Sequence, residues 1–224
     1  MICRNRLLDA EDLRDDRSPT SRSAGKASFI ESGVRLMKKI NTGIAGLWAI
    51  EPTVFQDERG FFLESYHQEK FAQLGIRENF VQDNHAKSAR GTLRGLHYQI
   101  KHPQAKLCRV IHGEVLDVAV DIRRNSPSFG QYSAIILSAA NRLQLFVPAG
   151  FAHGYLVLSE TAEFIYKCSD FYYPEYERGV LWNDPEIAID WNIEKPRLSL
   201  KDKQHLCLSQ IADVDLPVYE LVKS

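Results

Sequence analysis

The chain has 224 residues, 44% of them apolar, which is enough for one good-sized core and excludes a wholly disordered chain. Its 28 Lys and Arg nearly cancel 29 Asp and Glu, which argues against nucleic acid as the main partner, because a phosphate backbone demands a clear basic excess. No apolar run is long enough to span a membrane, and no apolar segment succeeds a basic start as in a secretory signal, so a cytoplasmic location is expected.

In chain order, residues 1–36 differ from the rest of the chain. Asp9 to Arg17 is dense in charge, and Ser18 to Ser28 is rich in Ser, with Pro19 and Gly25. Such a segment buries too little apolar surface to offset its ordering entropy, so a poorly ordered extension is expected. The main domain is expected over 37–224, opening at Met37-Lys38-Lys39.

From Ile44 the chain reads as many short strands. The pattern predicts Ile44–Phe55, Phe61–Tyr66, Phe80–Asn84, Thr92–Gln99, Leu107–Ile111 and Val115–Ile122. Tyr132–Leu137, Leu143–Val147, Tyr155–Leu158 and Ala162–Cys168 come after them. Polar, Gly or Pro turns separate them at 57–60, 102–104, 125–130 and 148–150. Helices are minor, at Gln68–Leu74 and Leu200–Leu208. Regular short strands with close turns give an all-β fold, a sandwich or barrel.

In Glu114–Ile122, Leu116, Val118, Val120 and Ile122 share one face, while Val115, Asp117, Ala119 and Asp121 share the other. The second face either meets solvent or lines a polar cavity; from the strand alone, solvent is the expectation. Cys3, Cys108, Cys168 and Cys207 are scattered without a Cys-x-x-Cys pair. They read as reduced thiols, buried at Cys108 and Cys168, rather than a zinc site.

The chemistry concentrates in two stretches, Gly91-Thr92-Leu93-Arg94-Gly95-Leu96-His97-Tyr98-Gln99 and Pro148-Ala149-Gly150-Phe151-Ala152-His153-Gly154. They resemble the two motifs of the cupin superfamily, whose metal-binding members carry a second His two residues after the first. Here that position is Gln99, and no carboxylate lies in 100–105. Catalytic metal sites of the zinc type use three protein ligands, so a metal-free site is expected, with His102 and His112 keeping the metal reading open. His97 is then the natural general base. Lys106 lies just past a Pro103 turn and can hold an oxyanion. Tyr166, in the run 163–167, can give a proton from the opposite side. Each has a plainer alternative: a satisfied structural His, a solvated Lys, a core Tyr.

The chain from Ile44 to Tyr219 resembles the dTDP-4-dehydrorhamnose 3,5-epimerase family, metal-free cupin-like barrels. The motifs are Asp57-Glu58-Arg59-Gly60-Phe61-Phe62-x-Glu64, Val81-Gln82-Asp83-Asn84-His85, Leu93-Arg94-Gly95-Leu96-His97-Tyr98-Gln99 and Lys106 ahead of Gly113-Glu114-Val115. After Asp117-Val118-Ala119-Val120-Asp121-Ile122-Arg123 and the Pro148 stretch come Ala162-Glu163-Phe164-x-Tyr166-Lys167, Trp182-Asn183-Asp184-Pro185 and Leu198-Ser199-x-Lys201-Asp202.

The resemblance implies a double-sheet jelly-roll barrel with a few short helices, no cofactor and no metal. It implies His97 as base, oriented and made more basic by Asp202, Tyr166 as the opposing acid and Lys106 as holder of the enolate oxygen. Arg59, Glu64, Gln82, Asn84, Arg94, His153, Tyr172, Glu177 and Lys201 would bind the nucleotide diphosphate and sugar. The substrate implied is dTDP-4-keto-6-deoxy-D-glucose, inverted at C3 and C5 to dTDP-4-keto-L-rhamnose. The assembly implied is a homodimer that exchanges N-terminal strands, for which Ile44–Ile50 is the candidate. The competing readings are a mono-epimerase on a related keto-deoxy sugar nucleotide, a metal-dependent cupin dioxygenase and a non-catalytic sugar-binding barrel. One difficulty stands: Arg94 and His97 have opposite strand parity, so a bulge at Gly95, or entry of Arg94 from an edge, is expected.

Overall fold

The computed structural model describes Arg6–Leu8 and residues 37–219; the rest of the expected 1–36 extension and residues 220–224 lie outside the described residues. In chain order the strands are β1 Arg6–Leu8, β2 Lys38–Asn41, β3 Trp48–Glu51, β4 Val54–Asp57, β5 Gly60–Leu63, then helix α1 Gln68–Gln73. They continue with β6 Gln82–Ala89, β7 Leu93–Gln99, β8 Lys106–His112, β9 Glu114–Asp121 and β10 Tyr132–Ser138. Last come β11 Gln144–Val147, β12 Phe151–Val157, β13 Thr161–Cys168 and β14 Glu177–Gly179.

Two six-stranded sheets face each other. One has the order β1-β10-β9-β12-β7-β14 and the other β2-β3-β11-β8-β13-β6; β4 and β5 form a separate hairpin. This is the expected all-β jelly-roll barrel. Its interior is packed by Val115, Ala119, Ile135, Leu137, Phe151 and Val157 of the first sheet against Ala49, Val110, Leu145, Val147 and Phe164 of the second. Each buried Val, Leu, Ile or Phe side chain among them contributes about 1.5–3 kcal/mol relative to exposure.

The outer face of the first sheet is buried too. Leu93, Leu96, Leu116, Val118 and Val120 are covered by Val180, Ile187, Trp191, Leu208 and Leu216 of the returning C-terminal segment. Helix α1 covers part of the other sheet's outer face, with Phe71 and Ile76 against Ile50, Leu107 and Phe146.

This two-sided burial overturns the solvent expectation for β9. Asp117 and Asp121 are both 0% exposed, because a second sheet and a loop close over the face that carries them. Asp121 takes hydrogen bonds from Arg123 Nε (2.8 Å), Ser126 Oγ (2.5 Å) and Ser128 Oγ (2.6 Å). Burial opposes its ionisation, but these donors outweigh burial and hold its carboxyl below the ordinary range.

Five expected elements change. The run Ile44–Phe55 splits: 44–47 form a turn, and β3 and β4 are separated at Pro52-Thr53. The strand expected at Phe61–Tyr66 is β5, which begins at Gly60 and ends at Leu63. The strand expected at Phe80–Asn84 starts at Gln82 and continues to Ala89. The strand expected at Tyr155–Leu158 is β12, which begins four residues earlier, at Phe151, and ends at Val157. Leu200–Leu208 is not a helix but a turn leading into an extended stretch, with a single 3₁₀ turn at Leu208–Gln210. Its backbone is drawn away from helical pairing, since Leu206 bridges Val180 and its carbonyl accepts from Leu181 N at 2.8 Å. Within the run Ile44–Ile50, Ile44, Leu47, Ala49 and Ile50 are buried in this chain's own core, and β3 pairs with β11.

Candidate active site

The irregularity of β7 decides which side chains enter the barrel. His97 pairs with His153 and Arg94 with Tyr155, so three residues of β7 span two of β12. The extra residue falls at Gly95, whose φ of 120° suits only glycine, and a Cβ there would stand 2.5 Å from Gly154 Cα. The bulge resets the parity, so Arg94 and His97 both face inward while Leu93 and Leu96 pack outward. The expected difficulty is resolved in this way.

From the first sheet, β7 supplies Arg94 and His97, β12 supplies His153 and β14 supplies Glu177. From the second, β6 supplies Gln82 and Asn84, β8 supplies Lys106 and β13 supplies Tyr166. Two adjoining cavities of about 340 and 280 Å³ lie between them and share His97, Lys106, Tyr166, Tyr172 and Glu177 as lining. Lys201 and Asp202 of the C-terminal turn close one side.

His97 Nε2 lies 2.6 Å from Asp202 Oδ1. The other carboxylate oxygen accepts from Ser199 Oγ at 2.7 Å, and Ser199 Oγ accepts from Asp202 N at 3.1 Å. Burial works against the Asp202 charge, but His205, His97 and Ser199 outweigh burial and hold its carboxyl well below the usual range. The carboxylate therefore stays ionised and fixes His97, leaving Nδ1 free toward the cleft, 3.9 Å from Glu177 Oε1.

Glu177 is held by the Tyr172 hydroxyl and the Lys201 ammonium. Burial raises its carboxyl, and these two donors overcome it, so Glu177 too lies below the ordinary range. Tyr172 is pushed up to about 12, chiefly by its bond to the Glu177 carboxylate. Tyr166 is pushed up further by burial, which keeps its phenol protonated at neutral pH.

A second His–carboxylate pair lies deeper, with His153 Nε2 2.6 Å from Asp117 Oδ1 and Cys108 Sγ 3.8 Å from the same nitrogen. Arg94 Nε donates to Ser88 Oγ at 3.1 Å. Gln82 Nε2 donates to Asn84 Oδ1 at 3.1 Å, and Gln82 Oε1 accepts from Tyr172 N at 3.0 Å.

Two expected site residues stand outside this cleft. Arg59 pairs with Asp57 on the exposed β4–β5 hairpin, and Glu64 pairs with Lys70 at 2.7 Å. The same hairpin exposes Phe55, Phe61 and Phe62.

Metal-ligand chemistry finds poor footing. Gln99 is committed to loop support: its amide donates to His102 O at 2.7 Å and accepts from Tyr173 N at 2.7 Å. His102 pairs with Asp170 away from the cleft. Two groups, His97–Asp202–His205 and Cys108–Asp117–His153, bring their polar atoms within 4.8 Å of one another. In each, His and carboxylate are already joined by a 2.6 Å hydrogen bond. Burial also pushes the Cys108 thiol well up, away from the thiolate a metal requires. Both groups read as hydrogen-bonded dyads.

Sequence reasoning gives no roles to Ser88, Ser199 and His205. Ser199 carries a signal, the Ser-x-x-Asp spacing of a turn that hydrogen-bonds its own backbone. His205 carries none.

Comparison with known proteins places this arrangement. Residues 41–210 match the family model described as dTDP-4-dehydrorhamnose 3,5-epimerase. The dTDP-4-dehydrorhamnose 3,5-epimerase of Pseudomonas aeruginosa is 56% identical over 170 residues, covering 75% of this chain and 94% of that protein. The Shigella flexneri enzyme of the same name is 53% identical over 168 residues, covering 74% and 93%. The crystal structure of dTDP-6-deoxy-D-glucose-3,5-epimerase from Legionella pneumophila, in complex with dTDP-4-keto-L-rhamnose, superposes with a TM-score of 0.81 at 50% identity, covering 83% of this chain and all of that one.

Proposed function

The chain belongs to the dTDP-4-dehydrorhamnose 3,5-epimerase family, and from that premise we propose how its cleft carries out the reaction. The enzyme inverts C3 and C5 of dTDP-4-keto-6-deoxy-D-glucose to give dTDP-4-keto-L-rhamnose. Both carbons flank the C4 ketone, so abstraction at either gives an enolate whose charge rests on the same oxygen. His97 takes the proton at Nδ1, and Asp202 stabilises the imidazolium that forms. Lys106 holds the C4 oxygen, where a fixed cation acts on charge that develops only in the transition state. Tyr166 returns a proton from the other side. The observation that carries this reading is that base and phenol stand on opposite sheets, with the cavity between them.

Arg94, His153, Gln82, Asn84, Tyr172, Glu177 and Lys201 bind the diphosphate and sugar. The ketone itself acidifies both C–H bonds, so the mechanism uses neither cofactor nor metal. Proton NMR of the substrate in deuterated water, after prolonged chelation of the enzyme, tests this directly. Exchange and inversion at C3 and C5 should persist at full rate. Loss of turnover on removing a stoichiometric metal would sink the mechanism, and inversion at one carbon alone would make the enzyme a mono-epimerase. No helix among the described residues is long and apolar enough to cross a membrane, and a cytoplasmic location suits the nucleotide-sugar substrate and free thiols.

The domain is proposed to be residues 37–224, working as a homodimer in which the exposed β4–β5 hairpin of one copy reaches the cleft of the other with Arg59 and Glu64. The hairpin's exposed phenylalanines support this. From the extension, only Arg6–Leu8 is described, a three-residue parallel edge pairing on β10. A chain beginning at Met37 should therefore elute as a dimer, melt at about the same temperature and keep its turnover. A monomer of full activity would remove the exchanged hairpin from the reading, and a large fall in melting temperature would mean the extension is part of the domain.

A further inference from the structure

We propose that His205 is a positioning residue for the base: its imidazole shares the Asp202 carboxylate with His97 and limits how much of that charge reaches His97. The proposal rests on the roles of His97 and Asp202 given above. Asp202 Oδ1 lies 2.6 Å from His97 Nε2 and 3.7 Å from His205 Nε2. The two imidazoles meet edge to face, with centroids 5.6 Å apart and planes at 78°. At 3.7 Å the second contact is too long for a hydrogen bond. His205 Nε2 is nevertheless shielded from solvent and has no hydrogen-bond partner among the described residues. A buried ring nitrogen facing only a carboxylate is costly unless it acts on that carboxylate.

Independent support comes from Gly179, which pairs directly with His97 across β14 and β7. Gly179 has an ordinary backbone conformation, so no left-handed φ explains the glycine. A Cβ there would stand 2.3 Å from His205 Nε2 and 2.5 Å from two ring carbons. The missing side chain is the space that the His205 ring fills. The ring is held from both sides, by the turn that carries Asp202 and by the Val180–Leu206 bridge.

The charges around this pair are few. On β14, Glu177 faces His97 and is itself held by Lys201 and Tyr172. From β12, His153 is committed to Asp117. Across the cleft stand Lys106 on β8 and the protonated Tyr166 on β13. Among the described residues, His205 is the one group that competes with His97 for Oδ1, since Ser199 bonds the other oxygen. Removing that competitor leaves the full carboxylate field on His97, which is then protonated at higher pH, so less free base remains at neutral pH.

The test measures deuterium uptake from solvent into dTDP-4-keto-6-deoxy-D-glucose as kcat/KM against pH. In His205→Phe the ring volume remains but the nitrogens are gone. Its acid limb should move to higher pH by roughly half to one unit, with the high-pH plateau nearly kept. His205→Gln, which restores a polar group facing Oδ1, should return the limb toward its original place. Gly179→Ala displaces the ring with His205 still present and should reproduce the shift; it carries the test if His205→Phe does not fold. A uniform loss at all pH, or an unmoved limb in both His205→Phe and Gly179→Ala, would reduce His205 to a packing residue. Failure of the underlying reading looks different: His97→Asn would then still exchange deuterium, whatever His205 does.

Discussion

Replacing His97 with asparagine should stop deuterium exchange at both C3 and C5. Loss of a positioned general base costs on the order of 100- to 10,000-fold, and among the described residues no second group in the cleft is placed to take over. His153 is the other imidazole facing the cavity, but it is 6% exposed and its Nε2 is bonded to Asp117. Glu177 is closer to the His97 position, yet Lys201 and Tyr172 hold it ionised and occupied, which makes it a weak base. Asparagine keeps a donor that can face Asp202, so the fold should survive, and an unchanged melting temperature separates lost chemistry from lost structure. Near-normal uptake of deuterium in a folded variant would remove His97 from its role. Asp202→Asn should be milder: the imidazole remains, but the carboxylate that orients it and offsets its positive charge is gone. Full activity in that variant would leave the dyad without support.

The parts of this fold that are legible in sequence are those where apolar content marks a strand. β8 to β11 and β13 can be read to within a residue or two because each is an apolar run, while the start of β12 is missed by four residues because its Phe151-Ala152-His153-Gly154 reads as part of the Pro148 turn motif. β6 is misplaced by the same pattern for a physical reason. Its residues Gln82 to Ala89 face the cleft on one side and are exposed on the other, so neither face needs apolar side chains. β14 has three residues, too few for any period to show. The alternation of β9 is plain in sequence, but alternation reports two faces and not what covers them. The cover comes from the opposite sheet, distant in sequence, and, over Asp121, from the loop of Arg123, Ser126 and Ser128, whose return onto the strand the alternation does not show.

The proposed catalytic set is legible through family motifs, while most of its geometry is not. The order of residues shows a parity conflict between Arg94 and His97 and offers two ways out, a bulge at Gly95 or entry of Arg94 from an edge; the register of β7 on β12 is what selects the bulge. His205 and Gly179 are related only by shared volume, which leaves no trace in spacing. Arg59 and Glu64 show the converse: the motif that carries them is plain, and a single chain does not bring them to the cleft.

Tyr166→Phe should separate two events that run together in the wild-type enzyme. If His97 removes a proton from one face, inversion needs a donor on the other. Tyr166 lies on the opposite sheet, paired in register with Cys108 and packed beside Phe164 with ring centroids 5.8 Å apart. Phenylalanine nearly preserves this packing and removes only the hydroxyl. Burial holds that hydroxyl protonated, as an acid must be before it acts. In the variant His97 still abstracts and Lys106 still holds the enolate. The same imidazole can then return a solvent-derived proton to the face it came from. Deuterium should therefore enter while the yield of inverted sugar falls, with the larger defect expected at C5 by analogy with the family. Mass spectrometry for deuterium and NMR for stereochemistry, on one sample, make the comparison. Exchange and inversion falling in equal proportion at both carbons would mean that Tyr166 is no separate acid. If neither falls, the donor is elsewhere, and Tyr172 is a poor replacement. Its hydroxyl already bonds Glu177, whose carboxylate lies 3.9 Å from the base, so it stands on the base's side of the cleft. Water entering the cavity would then be the remaining source of the proton.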